Sequence, residues 1–250
     1  MDPRPLEFTY KDEADIVSEA ARAADREVCF FPAQSDLGLR LLDSLRGSTI
    51  ESRERPDLWD HRTSLLIEAM TIDDHVRSTG KDLTRQREAE VQRELKRSVF
   101  AEMLPNAKLS VLTSSGLPTD EDHSYAAYLS HFQKVVSHHA RNDAEYRSQL
   151  PGADLAYLLL DLSTGYFESL NSFGREMWGR PHMWFGDAAF IEAIIASGVD
   201  CVAWLAPYKT LELVGEGMFD LPKVVIIDVS LLREGDAVHY DANRLRSTEE

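Results

Sequence analysis

Ten residues separate Asp57 from Glu68, and the second acid stands inside an apolar, strand-like run, Ser64–Ile72. Pro56 marks a turn just before Asp57, so two acids on neighbouring stretches of a β-hairpin can meet at one mouth of a sheet. Carboxylate oxygens suit a hard divalent cation, and Mg²⁺ commonly takes one or two of them while keeping several waters. A cation held there stabilises charge on a phosphate, which is the chemistry of phosphodiester cleavage. Asp73, Asp74 and His75 follow at the exit of the same run, and Asp161 closes another, Leu155–Leu160. Asp57, Glu68, Asp73, Asp74 and Asp161 are therefore the expected metal ligands. The plainer alternatives are a turn role for Asp57, a solvent-facing strand position for Glu68 and helix caps for the other three.

Such acids need a sheet to position them, and the chain alternates short apolar runs with helical patterns. Val28–Phe31, stopped by Pro32, predicts a buried strand. Asp12–Arg26 carries Ile16, Ala20 and Ala23 at helical spacing. Ser35 is placed to cap a helix with Leu37, Leu41, Leu42 and Leu45 on its apolar face, ending at Gly47. Ser48–Arg55 is polar and predicts a loop or an approach to the next strand. Beyond the Ser64–Ile72 strand, Asp82–Leu104 predicts a long helix and Lys108–Thr113 a strand. Asp120–Arg141 predicts a helix with Tyr125, Leu129, Phe132, Val135 and Val136 inward. Leu155–Leu160 predicts the most buried strand, Asp187–Ser197 a helix stopped by Gly198, and Val199–Leu205 and Val224–Val229 two more strands. The expected fold is α/β, a mixed central sheet of about six strands flanked by helices. It is expected to be one domain over residues 1–240, with 241–250 a loose polar tail.

The chain has 250 residues, 43% hydrophobic and 28% charged, enough to bury a sizeable core. No apolar run approaches the length of a membrane span, and the N-terminus lacks a secretory layout. Cys29 and Cys201 both lie in apolar runs and read as reduced, buried thiols, so a cytoplasmic location is expected. The net charge of −16 counts against a general nucleic-acid binder, since Lys and Arg supply most phosphate affinity. It favours instead a basic protein partner. One stretch runs the other way: residues 77–97 carry seven basic against four acidic side chains, a local net charge of +3. Arg85, Arg87, Arg93 and Arg97 in that stretch could receive a nucleic acid; a solvated helix face laced with ion pairs is the simpler account.

Asp57, then Glu68 in an apolar strand, then a helix, then another strand resembles the PD-(D/E)XK nuclease superfamily. The resemblance spans roughly residues 50–165 in layout and two residues in motif. It implies that Asp57 and Glu68 bind Mg²⁺ or Mn²⁺, and that a lysine two residues beyond the Glu activates water. Met70 occupies that position here. Some members of the superfamily carry the lysine on a neighbouring helix, so Lys81 and Lys134 are the expected replacements. The implied function is a metal-dependent nuclease, or an inactive relative, in a setting such as bacterial defence or a mobile element. The alternative is a non-catalytic acidic module that docks a protein.

Other residues offer less. His131, Lys134 and His138 at i, i+3, i+7 could present two imidazoles and an ammonium toward the sheet, but no i, i+4 histidine pair suits zinc. Trp184 and Trp204 lie in aromatic-rich stretches that could stack a base or pack the core. The Arg55–His61 spacing of some helical ribonucleases is interrupted by Pro56, which opposes a helix there. The phosphate loop, the dinucleotide fingerprint, the nucleophile elbow and the kinase set are all missing from the sequence.

Overall fold

The computed structural model describes residues 13–74, 123–172, 175–207, 209–213 and 217–248. Its centre is a seven-stranded mixed sheet rather than the expected six. The strands are β1 (Val28–Phe31), β2 (Ile50–Ser52), β3 (Leu58–Asp60), β4 (Leu65–Ile72), β5 (Asp154–Asp161), β8 (Cys201–Leu205) and β11 (Val224–Asp228). They lie in the order β1-β11-β8-β5-β4-β3-β2. β2, β3 and β4 form an antiparallel meander, whereas β4, β5 and β8 run parallel. β5 is buried from Leu155 to Asp161, as an unbroken apolar run at the middle of a covered parallel sheet should be.

Five α-helices flank the sheet among the described residues: α1 (Glu13–Arg22), α2 (Asp36–Arg46), α3 (Tyr125–Ala140), α4 (Asp143–Gln149) and α5 (Ala188–Ser197). The period of two along each strand divides the core into two layers. Leu65 and Ile67 of β4, with Ala156, Leu158 and Leu160 of β5, pack against Ile16 and Ala20 of α1 and Leu41 and Leu45 of α2. Leu66, Met70 and Ile72, with Leu155, Tyr157 and Leu159, pack against Tyr128, Phe132 and Val136 of α3 and Phe190 and Ile194 of α5. Caps set the helix ends where the sequence places them: the Ser35 hydroxyl accepts from Gly38 N–H, the Asp187 carboxylate from Ala189 N–H, and Gly198 ends α5 at φ 79°.

Among the described residues, five further strands lie outside the main sheet. β6 (Tyr166–Ser172), β7 (Arg175–Pro181) and β12 (Leu245–Ser247) form a second sheet, and β9 (Thr210–Leu213) pairs with β10 (Gly217–Asp220). β12 corrects the expected loose tail over 241–250. Leu245 and Ser247 point inward and are buried, and Leu245↔Glu168 to Ser247↔Tyr166 pair in register with β6. Three residues of alternation inside a polar stretch are too few to stand out as a strand. The predicted helix Asp82–Leu104 and strand Lys108–Thr113, with His75, Lys81, Arg85, Arg87, Arg93 and Arg97, lie outside the described residues.

Candidate functional site

Glu68 shares the face of β4 that carries Leu66, Met70 and Ile72, so a carboxylate enters the layer beneath α3 and α4. It is 4% exposed, which overturns the solvent-facing alternative. A buried acid must be held by donors. His139 Nδ1 lies 2.7 Å from Glu68 Oε1, and the Tyr146 hydroxyl donates to the same oxygen at 2.8 Å. Glu68 Oε2 accepts the Asp57 backbone N–H at 3.3 Å.

β3 delivers Asp57 to this point. Leu58 pairs with Ile67, so one residue further out brings Asp57 opposite Glu68. The β3–β4 ladder stops there, and the Asp57 carboxylate takes over by accepting the Ala69 N–H at 2.9 Å. Desolvation pushes the Asp57 carboxyl up to about 6; the Ala69 N–H opposes that shift and repulsion from Glu68 adds to it. The two acids expected to converge therefore do.

The other expected ligands do not join them. Asp161 pairs in register with Ile72, four residues along β4 from Glu68, which is roughly 13 Å at the usual strand rise. Asp73 and Asp74 lie beyond Ile72. Asp73 is bound to His131, with its N–H and its carboxylate each 3.2 Å from Nδ1. Asp74 accepts from Tyr166 OH at 2.7 Å and from Thr164 N and Oγ1 at 3.1 Å, and faces His123 Nδ1 at 3.1 Å. Asp161 accepts from Ser163 N and Oγ through one oxygen and from Tyr128 OH and Trp204 Nε1 through the other. Lys209 completes this network: its ammonium is 3.4 Å from Asp161, donates to Ser163 Oγ at 2.5 Å and to the Thr164 carbonyl at 2.9 Å, and is buried. Burial pushes the Lys209 pKa down, opposed by Asp161 and Asp74. These lone pairs are spent on hydrogen bonds that tie the carboxyl ends of β4 and β5 together. Among the described residues no group of three or more His, Cys, Asp and Glu side chains is arranged to hold a metal.

Lys134 is exposed on α3, away from the acids, while Met70 is buried in the aromatic layer at 4% exposure. Lys81 lies outside the described residues. The basic group at the acid pair is His139, rather than His131 or His138. Its signal was present: His139 continues the inward series Phe132 and Val136 at helical spacing, whereas His138 is exposed. Tyr146, on α4, carried no signal because that seven-residue helix shows little apolar periodicity.

A second polar assembly surrounds Asp187, which accepts Tyr125 OH at 2.6 Å and faces His182 Nε2 at 2.7 Å. Tyr125, Tyr166, His123 and Arg246 help line a cleft of about 290 Å³ nearby. Trp184 and Trp204 are fully buried and serve the core. Compared with known proteins, the chain matches no family model, no curated protein and no solved structure. No helix of the described residues is long and apolar enough to cross a membrane.

Proposed function

We propose that the protein is a PD-(D/E)XK-like nuclease dependent on Mg²⁺ or Mn²⁺, in which Asp57 and Glu68 hold the cation and His139 takes the place of the absent lysine. The observation that carries this reading is the pairing of the two acids at the β3–β4 mouth, beneath a histidine. The antiparallel β2–β3–β4 meander with β5 parallel to β4 agrees with the strand–helix–strand layout on which the resemblance rests. Two adjacent carboxylates fit a cation that needs one or two acidic ligands and keeps its waters. A bound cation would supply stabilisation of the phosphate's charge.

The chain's own groups provide the rest. Facing a carboxylate, His139 Nδ1 is the protonated nitrogen, which leaves the Nε2 lone pair to take a proton from water. Tyr146 and the Asp57 N–H fix Glu68 so that the imidazole is held in one orientation. Cys29 and Cys201, free thiols in β1 and β8, support a cytoplasmic setting for this activity.

Calorimetry with Mn²⁺, followed by cleavage of DNA and RNA, tests the reading. Wild type and His139→Ala should bind the metal, Glu68→Gln should not, and both variants should lose cleavage. Absence of metal heat and of cleavage on every nucleic acid would overturn it. The remaining reading would be an acidic module for a basic protein partner, which the net charge of −16 and the buried Met70 favour.

A further inference from the structure

The outer end of the sheet carries exposed Arg53 and His61 beside Trp59, whose ring packs against the edge of the core. Arg53 N–H donates to the Asp57 carbonyl at 2.7 Å, which extends the β2–β3 ladder one rung beyond Ser52↔Leu58. With Glu51 opposite Trp59 and Trp59 opposite Leu66, the alternation puts Arg53, Asp57, Trp59, His61 and Glu68 on one face. The Arg53 guanidinium lies 4.1 Å from the Trp59 ring centroid. The His61 ring is 3.6 Å from that indole, tilted by 33°. Arg53 is exposed and the His61 side chain is 58% exposed, with its Nε2 3.7 Å from the Glu51 carboxylate, so these two members of the stack face solvent beside the acids while Trp59 is half-buried. The indole N–H of Trp59 is buried with no hydrogen-bond partner, an unsatisfied donor within the stack.

We infer that Arg53, Trp59 and His61 form a stacking subsite for an unpaired nucleobase, so that the substrate of the neighbouring acid pair is a single-stranded nucleic acid. Guanidinium and aromatic planes stack on any base face, and a duplex keeps those faces covered. The overall charge of −16 works against recognition through the phosphate backbone, which leaves stacking and one local arginine to supply affinity. Arg53, cross-strand from Asp57, meets the phosphate next to the stacked base, between the platform and the acids. This inference rests on the nuclease reading for its substrate, but the binding it predicts does not need the metal.

Fluorescence anisotropy with labelled oligo-dT and oligo-rU of about twelve nucleotides, in EDTA, isolates the subsite. Single strands should bind at least tenfold more tightly than a duplex of the same length, and comparison of dT with rU reads the sugar preference. Trp59→Leu, His61→Ala and Arg53→Ala should each weaken binding about tenfold, while Ser35→Ala, at the start of α2 in the other layer, leaves it unchanged. Arg53 and His61 are exposed, so their variants carry the test even if Trp59→Leu fails to fold. With one phosphate contact the salt slope should be shallow, about −0.7. Loss of binding in the Arg53 and His61 variants without metal heat or cleavage in wild type would overturn the nuclease reading and keep the subsite. Metal binding and cleavage with single-strand affinity indifferent to Arg53, Trp59 and His61 would overturn the subsite and keep the nuclease reading. Capture of a basic protein by this face, with no oligonucleotide bound, would overturn both.

Discussion

A carboxylate inserted between Leu66 and Met70 survives only if its oxygens are occupied, and Glu68 is served by His139, Tyr146 and the Asp57 N–H. Asp57 has no such company. Desolvation, with added repulsion from Glu68, pushes its carboxyl up to about 6 against the one backbone N–H it receives. The folded pKa lies above the unfolded value, so the folded state holds the proton more tightly. Stability is then highest below about pH 4 as far as this group is concerned, and declines as pH rises toward 6. Asp57→Asn removes the ionisation and keeps an oxygen for the Ala69 N–H. It should stabilise the protein at pH 7.5 by about 1 kcal/mol, a figure already reduced for a half-buried group screened by solvent. At pH 5, about midway between the unfolded value and the folded value of about 6, the gain should fall to about half. Urea unfolding of both proteins at the two pH values checks this, and an equal gain at both would contradict the assignment. Added Mn²⁺ should reverse the ranking at pH 7.5 if the pair holds a cation.

At the scale of elements, the carboxyl ends of β4 and β5 are joined by ionic and hydroxyl groups where a simpler protein would use apolar packing. Asp161 and Lys209 are both fully enclosed, and the ammonium also lies 4.7 Å from the Tyr128 ring centroid and 5.0 Å from that of Trp184. Removing one member of such a pair strands the other charge. Lys209→Met should therefore cost about 3 kcal/mol in denaturant unfolding, at the low end for a buried pair because Ser163, Tyr128 and Trp204 still serve Asp161. The double variant Asp161→Asn/Lys209→Met should recover part of that loss. A single variant costing under about 1 kcal/mol would mean the site is wetter than its burial indicates. On the other face, α2 starts from one side-chain hydrogen bond, Ser35 Oγ to Gly38 N–H at 3.0 Å. Ser35→Ala should lower stability by about 1 kcal/mol, measured in the same way, with no effect on oligonucleotide or metal binding.

Across the whole molecule, what could be read from the chain was set by the length of each pattern. Runs of four or more apolar residues, such as Leu155–Leu160 and Val224–Ile227, lie where they were expected, and the striped helix expected over Asp120–Arg141 is present from Tyr125 to Ala140. Short strands were missed: β3 is three residues, and its central Trp59 gives no alternation to detect. The acid pair was legible because Pro56 and a strand bracket it, whereas Asp73, Asp74 and Asp161 were grouped with it on sequence proximity to strand ends. Register decides that question, since four residues along β4 separate the two groups. The terminal segment follows the same rule. Leu245 is 5% exposed, and Ser247 Oγ lies 2.9 Å from Thr164 Oγ1, whose carbonyl accepts from Lys209. A segment that reads as a polar tail thus closes both the second sheet and the Asp74–Asp161 network. Ending the chain after Arg244 would remove β12, strip a buried leucine and leave the edge of β6 unpaired. That truncation should cost about 2–4 kcal/mol, read as a lower urea midpoint. Full-length protein with Leu245→Ala should lose most of the same amount, about 2–3 kcal/mol, if packing rather than strand pairing is the larger part. If the truncated chain instead unfolds at the wild-type midpoint, β12 contributes nothing to the native state and the expectation of a loose tail stands.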